Sequence, residues 1–238
     1  MITKLKGKKS IALLLDPDKA SANKLEYLLK VARDSRTDYI FVGGSMTFNH
    51  PDKLIGQVKS ICDIPVILFP GNLLQLTTKV DAILFLSLIS GRNPELLIGN
   101  QVLAAPSLKN IKSRVIPVGY MLINCGSRTS VEYMSQTEAI PSSKTEIAVA
   151  TALAGEMLGL KLIYLEAGSG ADHPVPAGMI SSVKENISIP LLVGGGLRSA
   201  GSIKTAYDSG ADIVVLGNGC ENDPSLLEDA CRIRNEFK

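Results

Sequence analysis

Apolar residues along this chain gather in short unbroken runs. They are SIALLLD (10–16), YIFVGG (39–44), IPVILFPG (64–71), AILFLSLISG (82–91), RVIPVGYMLI (114–123), KLIYLEAG (161–168), IPLLVGGG (189–196) and DIVVLGNG (212–219). Runs of this length without polar alternation predict strands covered on both faces, as in a parallel sheet. Helical patterns separate them. NKLEYLLKVARD begins soon after Ser21, and KLIGQVKSI follows the Pro51–Asp52 start. In NPELLIGNQVLAAPSLK, Asn93 is placed to cap, Pro94 takes the first helical position and Glu95 lies in the first turn. SKTEIAVATALAGEMLG is long and rich in alanine, while Ser199 and Asp223 are placed to cap the last two helices. NLLQLTTK, after Gly71, is short, and residues 124–143 form the longest irregular stretch, a lid or an ordered excursion.

Eight strand–helix alternations predict a closed (β/α)8 barrel, with residues 1–238 as a single domain. An open doubly wound sheet is the alternative; the count of eight and the glycines at most strand exits favour the barrel. The chain has 238 residues, 45% of them hydrophobic, enough for one large core.

Charge changes the picture little. The net charge of +2 gives no support to a nucleic-acid partner, and the early KLKGKK run reads as a solvated edge. Cys62, Cys125, Cys220 and Cys231 show no CxxC spacing and read as reduced, mostly buried thiols of a cytoplasmic protein. No opening segment resembles a signal peptide, and no apolar run approaches the roughly 20 residues of a membrane span.

In a barrel the chemistry sits on loops beyond the C-terminal strand ends. Three of these exits are rich in glycine: EAGSG, GGGLRSAGS and GNG. Glycine lets backbone N–H groups approach an anion closely, so two such loops in successive units predict a phosphate site built from main chain. Gly195, Gly196, Gly217 and Asn218 are its candidates, with Ser169 and Gly170 closing it. Arg198 either touches the phosphate or covers the helix start. No dinucleotide fingerprint is present.

On the opposite side, LLLDPDK puts Asp16 directly after an apolar run. It reads either as an Asx-type cap or as a ligand for a hard cation. Ser45, in VGGSMTFN, offers a hydroxyl at the adjacent exit. One carboxylate and one hydroxyl suit a loosely held Mg2+ completed by substrate phosphates and water. Asp18 is an alternative ligand, and His50 a weak one that reads better as a cap or surface residue. Tyr164 and Glu166 share one side of their strand by their spacing of two. Facing inward, Glu166 could take a proton from a hydroxyl held by the phosphate site; facing outward, it would be a structural carboxylate.

LDPDK, FVGGS, FPGN, SGRNP with NQ, IPVGYMLIN, YLEAGSG, VGGGLRS and VVLGNG together resemble the geranylgeranylglyceryl phosphate synthases and their heptaprenyl relatives, over about residues 9–233. The resemblance implies a (β/α)8 enzyme that moves a prenyl group from a prenyl diphosphate to the 3-hydroxyl of sn-glycerol 1-phosphate, with Mg2+. It implies Asp16 and Ser45 as metal residues, and Tyr164, Leu165, Glu166, Ala167, Gly168, Ser169, Gly170, Gly195, Gly196, Gly217 and Asn218 as glycerol-phosphate residues. Glu166 would activate the hydroxyl and Tyr164 would orient it. Leu14 replaces a lysine of some relatives, a departure from the heptaprenyl branch that resembles the archaeal and Bacteroidetes-type enzymes; a 20-carbon tail is expected on that ground. FPGNLL, AILFLSLISG and Tyr120 are candidate groove walls, although Phe69, Phe85 and Leu88 read equally as core. The resemblance also implies a homo-oligomer, either a dimer or a ring of dimers, and peripheral contact with a membrane for the prenyl chain. A sugar-phosphate isomerase, an aldolase, a flavin enzyme and a non-catalytic phosphoglycerol-binding protein are the rival readings of the glycine loops.

Overall fold

The structure, a computed structural model, describes residue 2 and residues 7–19, 22–109 and 114–237. Ser21 and the first half of the KLKGKK run, residues 4–6, lie outside the described residues. All eight apolar runs are strands: β1 (Ser10–Leu15), β2 (Tyr39–Val42), β3 (Val66–Leu68), β4 (Ala82–Leu88), β5 (Arg114–Asn124), β7 (Leu162–Glu166), β8 (Leu191–Gly194) and β9 (Ile213–Leu216). A ninth, β6 (Ile140–Pro141), pairs with the end of β5 at Ile123 and Asn124. Every pairing is parallel, and the order runs β4-β3-β2-β1-β9-β8-β7-β5. Pairing of β4 with β5, from Ala82↔Arg114 to Leu88↔Tyr120, closes the ring and rules out the open sheet.

Alternate residues of each strand divide between two cores. Ala12, Phe41, Ile67, Leu84, Val118, Tyr164, Leu192 and Val215 fill the barrel, with Ile2 packed among them. Ile11, Leu13, Ile40, Val66, Ile163 and Val214 face outward against the helices. Both sets are buried, so polar alternation was never available to the sequence. Burying each such side chain contributes about 1.5–3 kcal/mol.

Aspartates tie the N-terminal ends of the strands together. Asp38, Asp81 and Asp212 each immediately precede a strand, and each accepts an N–H from the adjacent one: Ile11 at 3.0 Å, Val66 at 2.8 Å and Leu191 at 2.9 Å. A cation backs each carboxylate. Arg234 pairs with Asp38, Lys59 lies 3.3 Å from Asp81, and Lys184 lies 2.6 Å from Asp212.

The helices are α1 (Ala22–Asp34), α2 (Asp52–Ile61), α3 (Asn100–Leu108), α4 (Ser130–Ser135), α5 (Thr145–Met157), α6 (Ala177–Asn186), α7 (Ala200–Asp208), α8 (Asn218–Asn222) and α9 (Ser225–Glu236). Asn93 Oδ1 accepts the Glu95 N–H at 3.1 Å, and Ser199 forms a capping box with Ser202. NLLQLTTK yields only a single 3-10 turn, Leu73–Gln75, begun by Asn72 accepting the Leu74 N–H. β3 is therefore not followed by an α-helix. After β4 the chain enters a π-helical turn, Glu95–Gly99, before α3. The 124–143 stretch is an ordered excursion that contains α4, with a capping box from Thr129 and Glu132, and β6.

Candidate functional site

Glu166 ends β7 and points into the barrel on the side of Tyr164, with only 6% of its surface exposed. Burial raises its carboxyl pKa above the usual range; the neighbouring Tyr164 hydroxyl and the Gly168 N–H pull the other way. The latter donates to Oε1 at 2.7 Å. The Tyr164 ring is fully buried and braced edge-on by Tyr120, at 5.4 Å between centroids, and by Phe69 at 5.7 Å. Burial first, then the Glu166 charge, keep the Tyr164 hydroxyl protonated well above the ordinary tyrosine range. That hydroxyl feels the carboxylate, but its geometry is not that of a hydrogen bond, and it is buried without a partner.

Glycines surround this pair. A Cβ on Gly194 would lie 2.4 Å from the Tyr164 hydroxyl, and one on Gly195 would lie 2.5 Å from Glu166 Oε1. Gly195 and Gly196 have φ of 79° and 67°, a left-handed backbone that glycine adopts without strain and that leaves the main chain open to close approach. At Gly217 a Cβ would make only ordinary contacts, the nearest at 3.7 Å from Leu14 O. Asn218 donates to Ser169 Oγ at 3.1 Å, which joins the exits of β7 and β9. Arg198 makes contacts that neither expected role describes. Its Nη2 donates to Gly170 O at 3.1 Å and to Ala171 O at 2.8 Å, so it ties down the turn after β7.

Asp16 follows β1 on the same rim. Oδ1 accepts the Asp18 N–H at 3.0 Å, while Oδ2 lies 3.4 Å from Lys19 Nζ and would be 3.5 Å from a Cβ on Gly44, beside Ser45. The Asx turn and the rim-facing carboxylate thus coexist in one residue. Asp18 ties down the loop after β2: its oxygens accept the Phe48 N–H at 2.7 Å and the Asn49 N–H and Nδ2 at 2.8 Å, which holds its pKa below the usual range. His50 Nδ1 accepts the Asp52 N–H at 3.4 Å, a turn contact beside the start of α2. No group of three or more metal-binding His, Cys, Asp or Glu side chains is found among the described residues. Lys19 and Glu221 also stand at this rim, and the sequence reading assigned neither a role. Burial raises the Glu221 carboxyl pKa, against the pull of Lys19 and of the Asp16 backbone.

An apolar groove runs past the two rings that brace Tyr164. Its lining runs from Ser45 and Gly71 at the rim, past Phe69, Leu84 and Tyr120, to Gln101 on α3. Phe85 and Leu88 line it as well, so they are wall residues as much as core. Phe69 and Tyr120 are also the rings packed on Tyr164, so the groove and the buried tyrosine share these two walls. The short turn after β3 contributes Leu73 and Leu76 to the same lining. No described helix is long and apolar enough to cross a membrane.

Known proteins match this arrangement along its length. A geranylgeranylglyceryl phosphate synthase of Flavobacterium johnsoniae is 51% identical over 226 residues, 94% of this chain and 93% of that protein. One from Chitinophaga pinensis is 48% identical over 227 residues, 95% and 90% of the two chains. The crystal structure of (S)-3-O-geranylgeranylglyceryl phosphate synthase from Thermoplasma acidophilum in complex with sn-glycerol-1-phosphate superposes with a TM-score of 0.92 at 32% identity, covering 99% of this chain and 96% of that one. The family model for PcrB matches residues 3–235, and the chain belongs to the PcrB family.

Proposed function

We propose that this protein transfers a geranylgeranyl group from geranylgeranyl diphosphate to the 3-hydroxyl of sn-glycerol 1-phosphate. The observation that carries the reading is the buried Glu166 carboxylate. It sits beside an unpartnered Tyr164 hydroxyl and against Gly194 and Gly195, and the Tyr164 ring packs on Phe69 and Tyr120 of the apolar groove. Relatives at 48–51% identity bear the name of this activity, which supports it.

The acceptor's phosphate lies against the main chain of Gly195 and Gly196, closed in by Ser169, Gly170, Gly217 and Asn218. Its 3-hydroxyl then reaches Tyr164 and Glu166. The hydroxyl oxygen forms a bond to C1 of the prenyl group as the bond from C1 to the diphosphate oxygen breaks. The electron pair leaves with diphosphate, and the hydroxyl proton passes to Glu166. Burial makes Glu166 a stronger base than an exposed carboxylate, and Tyr164 fills its empty hydrogen bond with the acceptor oxygen. Phe69, Leu84 and Tyr120 cover the reacting carbon and keep water from intercepting it.

Asp16 and Ser45 present hard oxygens on one rim and leave most positions open, which fits Mg2+ shared with a diphosphate better than a closed protein cage. When bound, the ion would neutralise charge on the leaving diphosphate.

The test is a transfer assay with labelled sn-glycerol 1-phosphate and 15-, 20- and 35-carbon prenyl diphosphates, with Mg2+, followed by butanol extraction. The expected result is labelled lipid with the 20-carbon donor preferred, together with diphosphate release. Binding of both ligands without diphosphate release would leave a non-catalytic binding protein instead.

A further inference from the structure

Lys19 closes the turn that Asp16 opens. Its N–H donates to Asp16 O at 3.1 Å, and together with the Asx contact to Asp18 this fixes the backbone of residues 16–19. From there the side chain reaches the neighbouring exit of β9, the strand paired with β1. Nζ donates to Asn218 Oδ1 at 3.0 Å and lies 3.4 Å from Asp16 Oδ2. Asn218 in turn donates to Ser169 Oγ at 3.1 Å. A chain of contacts, Asp16–Lys19–Asn218–Ser169, thus runs from the exit of β1 past that of β9 to that of β7. It links the carboxylate rim to the glycine loops.

The charge at this mouth needs a counterpart. Asp16, Glu166 and Glu221 bring carboxylates to it, and two phosphorylated substrates add more negative charge. Arg198 gives its Nη2 to the carbonyls of Gly170 and Ala171. The Lys19 ammonium has three protons, with Asn218 and Asp16 as its contacts, and its side chain is 46% exposed. An amide oxygen holds it less strongly than a phosphate oxygen, which carries formal negative charge.

We infer that Lys19 is a ligand of the acceptor's phosphate. On entry of the acceptor, the ammonium leaves Asn218 Oδ1 for a phosphate oxygen and keeps its contact with Asp16, placing a full positive charge between the two anions. The inference rests on the proposed function, because it takes sn-glycerol 1-phosphate as the occupant of the mouth.

Lys19→Met keeps the stem and removes the charge, and Lys19→Arg keeps the charge. The probe is sn-glycerol 1-phosphate alone, titrated calorimetrically into the full-length protein without Mg2+, with steady-state kinetics and melting curves alongside. Lys19→Met should weaken binding about 10- to 100-fold and raise KM for sn-glycerol 1-phosphate to match. It should leave kcat, the prenyl-diphosphate KM and the melting temperature close to wild type, and Lys19→Arg should retain most of the affinity. Equal affinity of wild type and Lys19→Met would overturn the inference and leave the functional reading intact. A loss confined to the prenyl-diphosphate KM would also overturn it, by moving Lys19 to the donor. Failure of the wild type itself to bind sn-glycerol 1-phosphate would remove the functional reading first, and this inference with it.

Discussion

The Tyr164 hydroxyl and the Glu166 carboxylate converge over Gly194, where a Cβ would stand 2.4 Å from the hydroxyl and 3.1 Å from Oε2. Gly194 leaves the gap, and the rings of Phe69 and Tyr120 keep Tyr164 from swinging out of it. A buried hydroxyl without a partner costs about 1–3 kcal/mol. Tyr164→Phe removes that oxygen and keeps the ring packing, so it should stabilise the ligand-free protein in urea unfolding while lowering kcat. A variant less stable than wild type would show that the hydroxyl is already satisfied.

Glu166 makes a matching trade, with a pH signature. Its folded-state pKa is raised, burial being the main cause. Its stabilising contribution is therefore fully present below the unfolded carboxyl pKa of about 4.3, and is lost as pH rises through the folded value. Glu166→Gln does not titrate. Its stability relative to wild type should increase across that window and level off above it. Unfolding curves taken from pH 4 to pH 8 measure this, and a difference that stays flat would contradict the raised pKa. With both substrates saturating, turnover of Glu166→Gln should fall far more than affinity for sn-glycerol 1-phosphate, since the base is needed only as the proton leaves.

The sequence revealed the strands because each run is buried on both faces, and it revealed the glycine exits because phosphate chemistry and tight turns both demand glycine. Spacing places Tyr164 and Glu166 on one side of their strand but does not say which side; the packing of Tyr164 in the barrel core decides that. The missing helix after β3 was not legible. NLLQLTTK has helix-compatible leucines, and its 3-10 turn follows from Asn72 bonding locally to the Leu74 N–H. Lys19 carries no signal within LDPDK, because its partner Asn218 is 199 residues away and no local pattern encodes such a contact. For Asp16 the cap and ligand readings were posed as alternatives, yet its two oxygens face different partners.

Asp16 therefore predicts a divided phenotype. Asp16→Asn retains an oxygen to accept the Asp18 N–H, so the turn should hold and the melting temperature should change little. The lost charge should weaken the response to Mg2+. In a titration of activity against Mg2+, the midpoint should move to higher concentration, with residual transfer at saturation well below wild type. An unchanged titration would remove Asp16 from the cation site.

Asp212 tests the opposite face, where no substrate is expected. Its Oδ2 accepts the Leu191 N–H at 2.9 Å and pairs with Lys184 at 2.6 Å, while Lys9 lies 3.7 Å from Oδ1. Burial lowers the Lys9 pKa, and the Asp212 charge works against that shift, so the aspartate supports two cations as well as one strand end. Asp212→Ala leaves the Leu191 N–H without its acceptor and both lysines without their carboxylate. A hydrogen bond to a charged group contributes about 1.5–3 kcal/mol, so a loss of that order in unfolding free energy is expected. The KM values for both substrates should stay near wild type below the melting transition, because β8 and β9 are still held in register by Leu192↔Ile213 through Gly194↔Val215 up to the rim. A variant of wild-type stability with weakened substrate binding would show that the two ends of the barrel are coupled, against this division of labour.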